Sequence, residues 1–229
     1  MTKVNEVNAR PARYRRWRNQ FVLDQREQTM AVVDKPSARE AKRLQTRERL
    51  MGAAIGEFKR SGMAAADVGA IVAAAGVAHG TFFFHFPTKE HVLLELERRE
   101  EERIAKQLDR YADSGRDLSS TLRESVRLVM GLERRLGAVL FKDFLALHFS
   151  QTRPSGDERR EHPVIVSVAR EIEHAKTRGW ADPDANPMNS AVFFLLGLYA
   201  LLTTTHEWPA QDAMLEDYVN RTLRSIENR

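Results

Sequence analysis

The sequence predicts an all-α fold. Glycine and proline are sparse, at 12 and 8 of 229 residues, and strand-like alternation of apolar with polar residues is nearly absent. Ala, Leu, Glu and Arg dominate instead, and these residues lose little side-chain freedom in a helix. Apolar positions recur at three and four residues along most of the chain, which is the spacing of a helix with one buried face.

The elements follow in order. Residues 1–36 show no sustained helical period; they interleave Arg10, Arg13, Arg15, Arg16 and Arg18 with Tyr14, Trp17 and Phe21, and end at Pro36. This is a basic extension, read either as an arm following a phosphate backbone or as a solvated tail; Met30 is an alternative start of translation. From Ser37, Leu44, Leu50, Met51, Ala54, Ile55 and Phe58 fall on a helix that Ser61-Gly62 stops. Asp67 caps a short second helix carrying Val68, Ile71 and Val72, and Gly76 ends it because the turn needs a positive φ. Val77 and Ala78 lead into a third helix, from Gly80 to Phe86. Pro87 breaks the chain, and Thr88 with Glu90 opens a long helix through Val92, Leu93, Leu96, Ile104 and Leu108. Further helices are expected near 118–133, 136–149, 160–178, 187–206 and 211–227, separated by breaks at Pro154-Ser155-Gly156, Gly179 to Pro187 and Trp208-Pro209.

Charge and composition narrow the function classes. Residues 1–50 carry 13 Lys/Arg against 6 Asp/Glu, net +7, leaving net −3 for the rest of a chain whose total is +4. One basic end suits a protein that meets a polyanion there. Cysteine is absent, which excludes disulfides, thiolate nucleophiles and zinc-thiolate sites. No apolar run approaches the length of a bilayer span, and the basic start lacks an apolar core, so no membrane association and a cytoplasmic location are expected. No phosphate-binding loop, nucleophile elbow, paired carboxylates or metal-ligand spacing on one helical face stands out. No catalytic residue, metal site or cofactor is expected.

A short helix, a turn at Gly76 and a second short helix form a helix-turn-helix pattern, which many helical bundles share by accident. The residues that fill it are more specific. Thr46-Arg47-Glu48-Arg49-Leu50, Ala53-Ala54, Phe58, Ser61-Gly62, Ala73 to Val77, Gly80-Thr81-Phe82 and His85 to Glu90 closely resemble the TetR family of transcription regulators over residues 46–97.

The resemblance implies a reader domain over 37–87 and a ligand-sensing and dimerisation domain over 88–229, acting on double-stranded operator DNA as a ligand-responsive repressor. The third helix would lie in the major groove, with contacts from Ala78, His79, Gly80, Thr81, Phe83, Phe84 and His85, and with Lys89 on a phosphate. Ala78, His79 and Phe83 depart from the hydroxylated, cationic and tyrosine residues common there, so anchoring by this helix is weakened; Arg39, Lys42, Arg43, Arg47 and the basic arm are expected to compensate. Phe82 and Phe86 point to the core, and Phe83 and Phe84 cannot both join them on a period of 3.6.

In the second domain, helices 160–178 and 187–206 are the expected seam of a homodimer, because such readers pair to match two half-sites. Met130, Phe141, Phe144, Leu145 and His148, with Leu140 and Phe149, form an apolar stripe with one polar group. It reads either as a pocket for a hydrophobic or aromatic effector or as a packed core with a satisfied histidine. A helical ligand-binding or scaffold protein with a degenerate helix-turn-helix is the alternative function.

Overall fold

The computed structural model describes residues 37–148, 150, 154, 162–206 and 208–227, and among these every element longer than a single bridge is a helix. The extension over 1–36, with Met30, and Phe149 of the stripe lie outside the described residues. The helices are α1 Ala38–Ala65, α2 Val68–Ala75, α3 His79–His85, α4 Lys89–Ala112, α5 Leu118–Leu136, α6 Ala138–His148, α7 Pro163–Thr177, α8 Pro187–Thr204 and α9 Gln211–Ile226. Their number and order are those predicted.

Two units, Met1–Leu44 and Gln45–Arg229, divide the chain within α1. In the first, residues 37–44 are the exposed opening turns of the helix, where Ser37 Oγ accepts the Glu40 N–H at 3.2 Å. The second holds all that follows.

From Gln45 on, α1 buries Leu50, Met51, Ala54 and Phe58 along one face. The sequence stops this helix at Ser61-Gly62; the structure breaks it at Gly62 (φ 78, ψ 158) and adds one more turn. A tertiary bond holds that turn, since the Met63 N–H donates to Asp143 Oδ2 on α6 at 2.6 Å. Asp67 caps α2 as expected, accepting the Gly69 and Ala70 N–H groups at 2.8 and 3.3 Å. At the other end Gly76 sits at φ 63, ψ 44, its N–H donating to the Ala73 carbonyl while the Val77 N–H reaches that of Val72. This reciprocal pair satisfies two orphan carbonyls and sends the chain off sharply. Thr88 precedes α4 but makes no side-chain cap; its hydroxyl bonds His91 Nδ1 at 3.0 Å instead.

The long helix α4 packs on α5, α6 and α7. It buries Val92, Leu93, Leu96, Ile104 and Leu108 along one stripe, with Glu97 and Glu101 on the same inner side. The pair α7–α8 is the most extensive helix contact, and α9 closes the bundle against α5 and α8. Where α8 meets α9, a Cβ on Gly197 would collide with the Tyr218 hydroxyl, which lies 2.7 Å from the Phe194 carbonyl oxygen and donates to it. Absence of a side chain at Gly197 therefore sets the approach of the two helices.

By length and apolarity α8 alone among the single described helices would suit a bilayer crossing. Phe194, Leu195, Leu198 and Leu202 turn inward from it, whereas Phe193 and Leu196 remain 69% and 44% exposed.

Candidate functional site

The chain bends by 95° between α2 and α3, within the range of a helix-turn-helix pair. Phe82 and Phe86 are fully buried, 6.0 Å apart between ring centroids, with Ile71 and Val72 of α2 in the same core. Because α3 turns 100° per residue, fixing Phe82 and Phe86 inward turns the next two rings outward. Phe83 is 48% and Phe84 74% exposed, and Ala78, His79 and Gly80 are exposed with them. The His79 and Phe83 rings lie 5.6 Å apart, and Thr81 is half-buried. Ala78, His79, Gly80, Phe83 and Phe84 are thus the exposed residues of α3 and its start.

His85 is placed differently from the expectation. It is 8% exposed, with its ring edge-on to Phe84 at 5.1 Å. One turn after Phe82, its position returns to the inner side of α3.

Arg47 and Lys89, also expected to face DNA, are engaged within the protein. The Arg47 guanidinium lies 4.1 Å over the Phe86 ring, donates to the His85 carbonyl, and stands 3.8 Å from Glu95. Lys89 Nζ donates to the carbonyls of Ala64 and Ala66 at 2.9 and 3.1 Å. Arg49 does the same for α2, donating to the Ala75 carbonyl and, at 3.4 Å, to that of Gly76. So α1, α2 and α3 each end on carbonyls held by a cation from a different helix. This neutralises the negative end of each helix dipole and fixes the three axes against one another. Sequence reasoning missed it because the carbonyls that attract these cations are 23 to 38 residues away.

Two further ties join α1 to α4 and α6. Arg99 on α4 grips Glu48 bidentately, at 2.5 and 2.7 Å, and also reaches Glu95 at 2.8 Å. This hydrogen bonding holds the Glu48 carboxyl below its usual range. Burial opposes ionisation of Glu95, yet the guanidiniums of Arg98 and Arg99 outweigh it and hold that carboxyl low as well. The second tie is the bond from Asp143 to Met63, flanked by Lys59 Nζ donating to the Arg135 carbonyl at 2.7 Å.

The expected effector residues are not brought together as one set. Phe141 and Leu145 line a cavity of about 380 Å³ with Leu202 of α8, Lys142, Glu133 and His206. A bond of 2.6 Å joins His206 Nδ1 to Glu133 Oε1 in its wall. Phe144 is buried in the core, stacked on Phe141 at 6.4 Å. Met130 lies instead beside a separate hollow of about 220 Å³ between α5 and α9.

His148 joins a polar cluster: its Nδ1 is 2.5 Å from Glu97 Oε1, and its ring is edge-on to Tyr199 at 5.7 Å. Burial, and next the carboxylates of Glu101 and Glu97, push the Tyr199 hydroxyl far up, so it stays protonated. A regular i, i+3, i+4 stripe on α6 thus serves three surroundings, because α6 is covered by α4, α5 and α8 on different sides.

Residues 50–96 match the model of the bacterial regulatory proteins of the tetR family. No curated protein matches the chain in sequence. Solved structures share the fold. The fatty acid degradation regulator FadR from Bacillus halodurans is similar with a TM-score of 0.61 and 17% identity, over 77% of this chain and 97% of that one. Thermus thermophilus FadR, a TetR-family transcriptional repressor solved with lauroyl-CoA, gives 0.59 and 23% over 78% and 91%. A TetR-family transcriptional regulator from Pectobacterium atrosepticum gives 0.62 and 20% over 82% and 97%. At such identities the likeness establishes the fold.

Proposed function

We infer that this chain, whose residues 50–96 belong to the tetR family of bacterial regulatory proteins, is a ligand-responsive repressor that binds a palindromic operator as a homodimer. The observation that carries the reading is the outward surface of α3, where Phe83 and Phe84 stay exposed while Phe82 and Phe86 anchor the helix. Phe84 lies mostly in water and Phe83 meets the core only through an edge contact with Phe82 at 5.3 Å, so both rings suit apolar contact with thymine methyl groups in a major groove. Ala78, His79, Gly80, Thr81, Phe83 and Phe84 are the proposed contacts. Arg47, His85 and Lys89 hold the reader in shape. The proposed reader spans 37–87 and the sensing and dimerising part 88–229.

Pairing is supported by the exposed apolar strip of α8, Phe193 and Leu196, which a second copy would cover together with α7. The cavity beside Phe141 and Leu145 is of a size for a small molecule, and its mixture of aromatic, aliphatic and charged walls suits a hydrophobic or aromatic effector with one polar group. Engagement of Arg47, Arg49 and Lys89 by carbonyls favours a second reading, a helical ligand-binding or scaffold protein with a degenerate reader.

Fluorescence anisotropy with DNA from upstream of its own gene separates the two. The regulator binds this DNA specifically, and Phe84→Ala weakens it about tenfold or more, since burying a phenyl ring is worth about 1.5–3 kcal/mol. Absence of specific binding by the unaltered chain leaves the scaffold reading.

The effector signal is proposed to run along α6, which lines the cavity with Phe141, Lys142 and Leu145 and holds the last turn of α1 through Asp143. A ligand that favours one position of α6 thereby biases the reader. Asp143→Ala releases the Met63 amide. A hydrogen bond to a charged group is worth about 1.5–3 kcal/mol, so exchange at that amide accelerates by about tenfold or more. Unchanged exchange over residues 62–66, followed by mass spectrometry, removes this route.

A further inference from the structure

Four side chains of metal-binding type, distant in sequence, meet inside the bundle. Glu97 and Glu101 are one turn apart on the inner side of α4, His148 ends α6, and His162 immediately precedes α7. Glu101 Oε1 is 3.1 Å from His162 Nδ1 and 3.9 Å from His148 Nδ1, while Glu97 Oε1 is 2.5 Å from His148 Nδ1. The two imidazole rings are 5.1 Å apart. The side chains of Glu97, Glu101 and His148 are 3%, 12% and 12% exposed, and that of His162 is 36% exposed.

We propose that Glu101, His148 and His162 bind a divalent transition-metal ion of the zinc class, with Glu97 orienting His148. Donor type selects the ion. Two imidazole nitrogens and a carboxylate suit zinc and its first-row neighbours, whereas calcium and magnesium require shells of oxygen.

Spacing agrees with this choice. Ligands about 2.0–2.2 Å from a tetrahedral ion stand about 3.4 Å from one another. The observed 3.1 Å from Glu101 Oε1 to His162 Nδ1 is close to that value, and one ligand atom from each of the three residues lies within 4.8 Å of the other two. Small side-chain rotations therefore complete the geometry without moving a helix. Glu97 occupies His148 Nδ1 and leaves Nε2 of that ring to ligate, supplying what a ligating imidazole commonly has, a carboxylate on its other nitrogen that fixes the ring and raises its basicity. His162 is the exposed member, and through it an ion reaches the site from solvent.

Such an ion would tie α6 and α7 to α4, on which each of them packs. No single helix carries the ligands, so the sequence expectation of no metal site, drawn from spacing within helices, did not reach them. The site is independent of whether the chain binds DNA.

The test uses the full chain freed of metal with a chelator, then titrated with Zn²⁺ against a chromophoric competitor and with Co²⁺ by visible absorption. One equivalent binds per chain, and Co²⁺ shows the intense bands of low-coordinate nitrogen and oxygen ligation. His162→Ala and Glu101→Gln each weaken Zn²⁺ binding by about 100-fold or more, and Glu97→Gln by about 10- to 100-fold. His174→Ala, on the exposed side of α7, leaves binding unchanged. His162 makes no capping bond, so its removal leaves the helix content seen by circular dichroism intact even where Glu101→Gln does not fold. Failure of the unaltered chain to take up a stoichiometric ion, or uptake that survives His162→Ala, overturns the proposal.

Discussion

Phe82→Ala is expected to destabilise the chain by about 3–5 kcal/mol, the range for deleting a fully buried aromatic ring. Phe82 is 0% exposed, and its neighbours Phe86, Phe58 and Ile71 are equally enclosed, so the cavity left behind cannot fill with water or collapse without tilting α3. Two residues along, Phe84→Ala should change stability by less than about 0.5 kcal/mol, because a ring 74% exposed has little packing to lose. Urea denaturation of the two variants reads the contrast directly. It is a test of rotation: a helix turned by two residues, about half a revolution, would exchange the two results. A loss below about 1 kcal/mol for Phe82→Ala would mean that α3 does not sit as described.

The second large effect concerns a single methyl group. Gly76→Ala is expected to cost about 2–4 kcal/mol. Part is backbone strain, since φ 63 lies in the left-handed region where a Cβ costs about 1–2 kcal/mol. The rest comes from Arg49, whose Nη2 stands 2.9 Å from where that Cβ would be built and must withdraw from the carbonyls it holds. A bond from a charged donor is worth about 1.5–3 kcal/mol. Gly56→Ala provides the control of opposite sign. Gly56 is helical and exposed with nothing within 4 Å of an added Cβ, so the same chemical change should stabilise by about 0.5–1 kcal/mol. Thermal melts showing both variants shifted in one direction would remove the strain argument at Gly76.

These two residues were legible in the sequence because their signals are local. Asp67 as a cap, Gly76 as a left-handed stop and the inward pair Phe82 and Phe86 follow from the conformations that neighbouring residues impose on one another. The order of helices was legible for the same reason, each being bounded by its own glycine, proline or capping residue. Misplacements occurred where a distant group decides. α1 continues past Gly62 because Asp143, 80 residues on, receives the Met63 amide. Lys89 turns to the carbonyls of Ala64 and Ala66, and Arg47 to that of His85. Nothing in the spacing of a lysine announces a free helix end beside it in space.

The effector stripe shows the other limit. Apolar periodicity establishes that Phe141, Phe144 and Leu145 are buried, but it is blind to whether they face a filled core or a hollow. That depends on how α4, α5 and α8 close around them, and on the size of each side chain opposite. His148 was recognised as the polar member of this stripe, while its partners Glu97, Glu101 and His162 sit on other helices.

The cations that clamp the helix ends carry a consequence for the conditions under which the chain works. Each phosphate met by a mobile cation releases counterions, and a fourfold rise in ionic strength then weakens binding by about 3.5-fold. Arg47, Arg49 and Lys89 are already committed to carbonyl oxygens, which restrains them from following a phosphate. On the proposed reading, discrimination by α3 therefore rests on rings and methyl groups, whose grip is largely indifferent to the electrolyte around them.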